Sequence, residues 1–115
     1  MRLAHLGLPV RDAERSIRFY AEHFAFDPAT AQQYPDGTVI IRNQDGFDLA
    51  LHTVPDAGHP QPFLHFGFRL ATAAEVSATL SRIRAAGIDV IEQDDDPSFK
   101  CLDPDGHRIE VYWEG

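Results

Sequence analysis

Two histidines and one carboxylate stand where their types and spacing permit metal chemistry: His5, His65 and Glu110. His5 and His65 lie 60 residues apart, and their surroundings repeat with them, because Leu3-Ala4-His5-Leu6-Gly7-Leu8 lines up with Phe63-Leu64-His65-Phe66-Gly67-Phe68. The same offset lays Asp45-Gly46-Phe47-Asp48-Leu49-Ala50 over Asp105-Gly106-His107-Arg108-Ile109-Glu110, so Ala50 stands opposite Glu110. Two neutral imidazoles and one carboxylate fill three positions of a divalent ion and leave others open, an arrangement used by non-haem iron and also by zinc and manganese. Such an ion polarises a substrate oxygen or acidifies a bound water near neutral pH. A single histidine is more often a filler of a half-polar strand position; the repeat and a shared sheet face favour the ligand reading for this trio.

The elements that must position these residues follow from periodicity. Each half reads as strand, helix and three short strands, an α+β pattern. Residues 3–8 form the first strand, which Pro9 ends, and Asp12 caps a helix over residues 13–24 with Ile17, Tyr20, Ala21 and Phe24 on its apolar stripe. Strands follow near 26–33, 38–42 and 47–53, divided by Pro35-Asp36-Gly37 and Asn43-Gln44-Asp45-Gly46. In the second half Thr72 and Glu75 make a capping box, Val76, Leu80 and Ile83 make the stripe, and Gly87 stops the helix. Strands near 88–93, 98–102 and 107–113 complete it. The proline- and glycine-bearing segment 55–62 links module 1, residues 1–54, to module 2, residues 63–115, within a single domain.

Alternation along a strand sends successive side chains to opposite faces. Leu3, His5 and Gly7 share one face and Ala4, Leu6 and Leu8 the other, toward the helix. Leu64, Phe66 and Phe68 likewise face helix and core, leaving Phe63, His65, Gly67 and Arg69 opposite. Ile109, Val111 and Trp113 are the core set of the last strand, and Arg108, Glu110 and Tyr112 look the other way. All three candidate ligands therefore lie on the face that no helix covers. Cys101 falls on a core face as a small buried hydrophobe. His23 and His107, beside a helix end and a turn, are expected at the surface, and Asp94-Asp95-Asp96 as a solvated loop.

Composition excludes several functions. With 18 acidic against 10 basic residues and a formal charge of -8, the chain has no basic field for a nucleic acid or an anionic membrane surface. Its 43% hydrophobic content over 115 residues is enough for a real core. One cysteine forms no internal disulfide, no apolar run reaches the length of a membrane span, and the start lacks a cleavable leader, so a cytoplasmic setting is expected.

The runs His5-Leu6-Gly7-Leu8-Pro9-Val10 leading to Ser16-Ile17-Arg18-Phe19-Tyr20, then Leu64-His65-Phe66-Gly67-Phe68, and last Phe99-Lys100-Cys101-Leu102-Asp103-Pro104-Asp105-Gly106-His107-Arg108-Ile109-Glu110 carry a resemblance over nearly the whole chain. In that order and spacing the chain resembles the vicinal oxygen chelate superfamily, which includes glyoxalase I, bleomycin- and fosfomycin-resistance proteins, methylmalonyl-CoA epimerase and extradiol dioxygenases. The resemblance implies two βαβββ modules, the glyoxalase/bleomycin resistance/dihydroxybiphenyl dioxygenase fold, curling as an incomplete mixed β-barrel cup with flanking helices around a divalent metal. His5, His65 and Glu110 fall on three of the family's ligand positions. Some members take a fourth ligand from the position held here by Ala50, which cannot bind.

The resemblance also implies a metal-dependent enzyme, a lyase, isomerase or dioxygenase, that chelates a small oxygenated substrate to iron, manganese, zinc or nickel. A homodimer is expected, with modules pairing either within a chain or across subunits. His52 and Tyr112, equivalent at the offset of 60 and on the ligand-bearing face, are candidate catalytic acid–base groups beside Glu110. Arg42, Asp48, Lys100 and Arg108 are candidate substrate-binding residues, and Tyr34, His59 and Lys100 candidates for the rim of the cup. The acidic stretch 92–97 would repel a phosphonate, so fosfomycin resistance is not assigned. The competing reading is a metal-free protein that, like bleomycin-resistance proteins, sequesters an aromatic or hydrophobic natural product; a third is an accessory domain with a vestigial site.

Overall fold

A computed structural model describes residues 1–95 and 97–115; Asp96, within the expected acidic loop, lies outside the described residues. The chain forms two compact units, residues 1–58 and 59–115. The α+β class and the doubled order of one strand, one helix and three strands are as expected from the sequence.

In the first unit β1 spans His5–Val10, α1 Ala13–Phe24, β2 Phe26–Gln33, β3 Val39–Asn43 and β4 Asp48–Thr53. The sheet order is β1-β4-β3-β2, with β1 parallel to β4 and the other pairs antiparallel. Asp12 caps α1 by accepting the Arg15 backbone N–H at 3.1 Å, which satisfies one of the orphan donors at a helix start. Tyr20 is fully buried on α1, with Ser16 beside it, and their stripe packs on β4 above Leu8, Val10, Ile41, Leu49 and Leu51. Phe26 closes this core, its ring edge-on to Tyr20 at a centroid distance of 5.9 Å.

The second unit repeats the plan: β5 His65–Arg69, α2 Ala73–Ala85, β6 Val90–Asp94, β7 Ser98–Leu102 and β8 Arg108–Tyr112, in the order β5-β8-β7-β6. The Thr72 and Glu75 side chains and backbones exchange hydrogen bonds at 3.1 and 3.2 Å, the capping box expected from the sequence. Gly87, at φ +75, follows the last turn of α2. Val76 and Ile83 pack toward a sheet core of Phe99, Cys101, Ile109 and Val111. The two β-hairpins leading to β4 and β8 use one device at the offset of 60: Asn43 Oδ1 accepts the N–H groups of Asp45 and Phe47, and Asp103 Oδ1 those of Asp105 and His107. Such side-chain-to-backbone bonds close an Asx-type turn.

Four expectations are corrected. Pro9 does not end β1, which continues through Val10 opposite Thr53; β1 is the terminal strand of its sheet, where a residue without an N–H removes no ladder bond. Leu64 is 62% exposed and outside β5, because Phe63 at φ 66 turns the chain and breaks the alternation before His65. His107 is buried, 8% exposed, since Asp103 folds the hairpin turn inward over its backbone. His23 is only 11% exposed at its side chain and lies edge-on to Phe19, one helical turn earlier, at 5.3 Å.

α1 ends on Ala25 in the left-handed conformation, φ 59 and ψ 27, its N–H bonded to the Tyr20 carbonyl. That conformation costs an L-residue roughly 1–2 kcal/mol, whereas glycine adopts it freely and loses more unfolded-chain entropy. Ala25→Gly is therefore expected to stabilise the protein by about 0.5 kcal/mol, seen as a higher urea midpoint at unchanged slope.

Candidate functional site

In the second unit the parallel register sets Gly67 beside Glu110 and His65 beside Arg108, so His65 and Glu110 project from one face, two register steps apart. Their side chains meet: His65 Nε2 is 3.3 Å from Glu110 Oε2. His65 Nδ1 lies 2.7 Å from the Phe63 carbonyl oxygen, and a carbonyl only accepts, so Nδ1 carries the proton and donates it. A neutral ring so oriented presents the Nε2 lone pair to the Glu110 carboxylate. Two acceptors face each other across 3.3 Å, a geometry that calls for a shared proton or a cation, and a histidine that binds a metal through one nitrogen commonly donates its other ring N–H to a carboxylate or backbone carbonyl.

The remaining candidates of this unit surround that pair. Tyr112 lies over Gly67, where an added Cβ would stand 3.1 Å from its Cε1 and 3.5 Å from Glu110 Cβ; glycine leaves room for the ring. Lys100 is the cross-strand partner of Glu110 and places Nζ 3.0 Å from Glu92 Oε2. Its ammonium is held above the usual lysine value by the Glu92 hydrogen bond, opposed by partial desolvation and aided by the charges of Glu92, Glu110 and Asp94. Glu92 and Asp94 belong to β6, so the first half of the acidic stretch is strand, and the Glu92 charge is compensated by Lys100. Arg108 reaches back to donate to the Gln61 carbonyl at 2.8 Å. Cys101 is buried, its thiol pushed up to about 12 chiefly by desolvation, which makes it inert as a nucleophile.

The first unit holds the counterpart surface. β1 and β4 pair His5 with Asp48, Gly7 with Ala50 and Pro9 with His52. A cavity of ≈ 530 Å³ opens there, lined by His5, Gly7, Tyr34, Pro35, Asp36, Thr38, Ile40, Ala50 and His52. Ala50 occupies the register of Glu110 and contributes no donor. His52 lies over Gly7 as Tyr112 lies over Gly67, since a Cβ at Gly7 would stand 3.1 Å from His52 Nε2. The Thr38 hydroxyl and His52 Nδ1 are 2.9 Å apart, and Asp36 Oδ1 accepts the Thr38 N–H at 2.9 Å. That backbone hydrogen bond, followed by the Thr38 hydroxyl, holds the Asp36 carboxyl below the usual carboxylate range.

Arg42 and Asp48 form a two-pronged pair at 2.8 and 3.1 Å. The hydrogen bond to Arg42 lowers the Asp48 carboxyl against some desolvation, and the same contact raises Arg42. The arginine charge is thus engaged by a neighbour rather than turned to a ligand. His59 is exposed. Within each unit taken by itself, no group of three or more His, Cys, Asp or Glu side chains among the described residues is gathered to hold a metal; His65 with Glu110 is the pair that one unit supplies. Asp36 and Thr38 were not among the sequence candidates. Their only signal was Pro35-Asp36-Gly37, which reads as turn chemistry. Among the described residues no helix is long and apolar enough to cross a membrane.

A family model described as the Glyoxalase/Bleomycin resistance protein/Dioxygenase superfamily matches residues 2–111. The chain is 28% identical over 123 residues to a trivalent organoarsenical cleaving enzyme from Bacillus sp. (strain MD1), a match covering 98% of this chain and 73% of that protein. It is 27% identical over 118 residues to glutathione transferase FosA of Serratia marcescens, covering 96% and 79%. Among solved structures, a possible glyoxalase from Bacillus cereus superposes with a TM-score of 0.82 at 24% identity, over 97% of this chain and 98% of that one. The fosfomycin resistance protein FosX from Listeria monocytogenes, complexed with Mn(II) and sulfate, gives 0.82 at 18% identity, over 99% and 90%. These superpositions bear on the fold.

Replacing Arg42 by Gln is expected to return the Asp48 carboxyl upward toward the ordinary range, read by carboxyl-carbon NMR titration. A carboxyl depressed in the folded state adds stability above its unfolded value that is lost as pH falls through the folded one. The stability difference between wild type and Arg42→Gln should therefore be present at neutral pH and vanish in acid.

Proposed function

Starting from a chain that belongs to the Glyoxalase/Bleomycin resistance protein/Dioxygenase superfamily, we propose an enzyme that acts on a small oxygenated substrate with a divalent metal to which the second unit contributes His65 and Glu110. The observation that carries this reading is the facing pair of acceptors, His65 Nε2 and Glu110 Oε2, with the imidazole already oriented through Nδ1 on the Phe63 carbonyl. Nitrogen and carboxylate donors suit iron, manganese, zinc or nickel rather than calcium or magnesium. When bound, such an ion polarises a coordinated oxygen and stabilises negative charge that develops on it.

The chain's own groups supply the rest. His65 enters with its ring already oriented by the Nδ1–H bond to the Phe63 carbonyl, which leaves Nε2 aimed at Glu110. Glu110 brings a negative charge that Lys100, its cross-strand partner, partly balances. Tyr112 over Gly67 offers a phenol, and His52 over Gly7 an imidazole, as groups able to give or take a substrate proton. The cavity beside His52 carries the Asp36 carboxylate and no arginine or lysine, which disfavours a strongly anionic substrate there. Arg42 and Arg108 are engaged on Asp48 and on the Gln61 carbonyl, and would reach a substrate only by giving up those partners. Two relatives bear the names of enzymes, a cleaving enzyme and a transferase, which supports catalysis over sequestration.

The test is metal content of protein prepared without a histidine tag and incubated with iron(II), manganese(II), zinc(II) or nickel(II). Wild type is expected to retain a stoichiometric ion, and Glu110→Ala to lose affinity by more than the roughly 10–100-fold that follows loss of an outer partner of a metal ligand. Wild-type protein that retains none of the four ions would sink the enzymatic reading.

A further inference from the structure

The turn between β2 and β3 carries the one carboxylate that lines the cavity of the first unit. Tyr34 N–H donates to the Thr38 carbonyl at 2.8 Å and Gly37 N–H to the Tyr34 carbonyl at 3.0 Å, while Asp36 Oδ1 accepts the Thr38 N–H at 2.9 Å. Gly37 takes φ 88, a backbone conformation that closes the turn and favours glycine. The backbone itself thus holds Tyr34 and Asp36 at the cavity wall. The floor is apolar: Gly7 lies beside Ala50 and Ala50 beside Ile40, a row across β1, β4 and β3 without a hydrogen-bonding side chain. A volume of ≈ 530 Å³ falls within the roughly 300–1,000 Å³ of pockets that enclose small organic ligands.

Charge decides what such a cavity takes. Asp48 has Arg42 at 2.8 Å and Asp56 has Arg11 at 3.4 Å. Among the described residues Asp36 pairs with no arginine or lysine, and the rest of the polar lining is hydroxyl and imidazole. The Thr38 backbone bond holds the Asp36 carboxyl below the usual carboxylate range, so it stays negative at neutral pH. A formal charge of -8 draws cations toward the chain as a whole. We propose that this cavity selects a substrate with a protonated or quaternary nitrogen on an apolar body: the body rests on Gly7, Ala50 and Ile40, and the nitrogen is held by the Asp36 carboxylate and the Tyr34 ring. Tyr34 is 40% exposed, and an open aromatic face attracts a cation through its quadrupole. The inference rests on the reading of an enzyme for a small substrate and names that substrate's class.

Backbone amide NMR titration of the full chain reads both place and preference, with three probes of one shape: phenethylammonium, neutral phenethyl alcohol and anionic hydrocinnamate. Phenethylammonium should bind tightest and shift the amides of Ile40, Ala50 and residues 34–38. The alcohol should bind roughly two- to fivefold more weakly, the range set by an ion pair open to solvent, and hydrocinnamate more weakly still. Asp36→Asn keeps an oxygen for the Thr38 N–H and should bring phenethylammonium to the affinity of the alcohol. Absence of phenethylammonium binding, shifts confined to residues outside the cavity, or a preference for the cation that survives Asp36→Asn overturns the assignment. Metal content of the same samples keeps the two readings apart: a stoichiometric ion without preference for the cation removes only this inference, and the preference without an ion removes only the metal site.

Discussion

The parallel pairing of the first and last strand of each unit is the constraint on which the other features depend. Parallel neighbours share a face at each register pair, so the pairing of Gly67 with Glu110 and of His65 with Arg108 decides that the imidazole and the carboxylate meet. The same register in the first unit pairs Gly7 with Ala50 and His5 with Asp48. A slip of one residue would turn each set toward the helix and bury polar groups in the core. The register is held by what lies on the reverse face, where Leu8, Val10, Leu49 and Leu51 in one unit, and Ile109 and Val111 in the other, are almost wholly removed from water. Packing beneath the sheet thus sets the chemistry above it.

Much of this was legible because it is periodic. Helical spacing and caps located Ala13–Phe24 and Ala73–Ala85, and alternation placed His5, His65 and Glu110 on the uncovered face. What escaped depended on contacts distant in sequence or on backbone dihedrals. Phe63 at φ 66 has no turn residue to announce it, yet it delays the alternation until His65 and leaves Leu64 outside the core. His107 reads as a turn residue and is buried because a side chain four positions earlier draws its backbone inward. Thr38 and Asp36 looked like the end of a turn, and only the pairing of β3 with β4 brings them to His52.

Charge shows the same limit. Arg42, Asp48, Lys100 and Arg108 are on or beside the right surfaces, but a sequence does not disclose that Arg42 closes on Asp48, Lys100 on Glu92, and Arg108 on a carbonyl. Those partners lower the field available to an incoming anion, and the balance of -8 over the chain points the same way. Polarity by itself therefore overstates how many of these groups are free to bind.

The clearance over Gly7 and Gly67 has a consequence for how such a scaffold diversifies. Each glycine leaves a flat berth into which the side chain at 52 or 112 lies down, and the berth accepts an imidazole in one unit and a phenol in the other. The occupant is set by one codon and leaves the backbone bearing His5, His65 and Glu110 untouched. The ring at either position, and with it the acidity on offer, can then change without disturbing the side chains that share its sheet face.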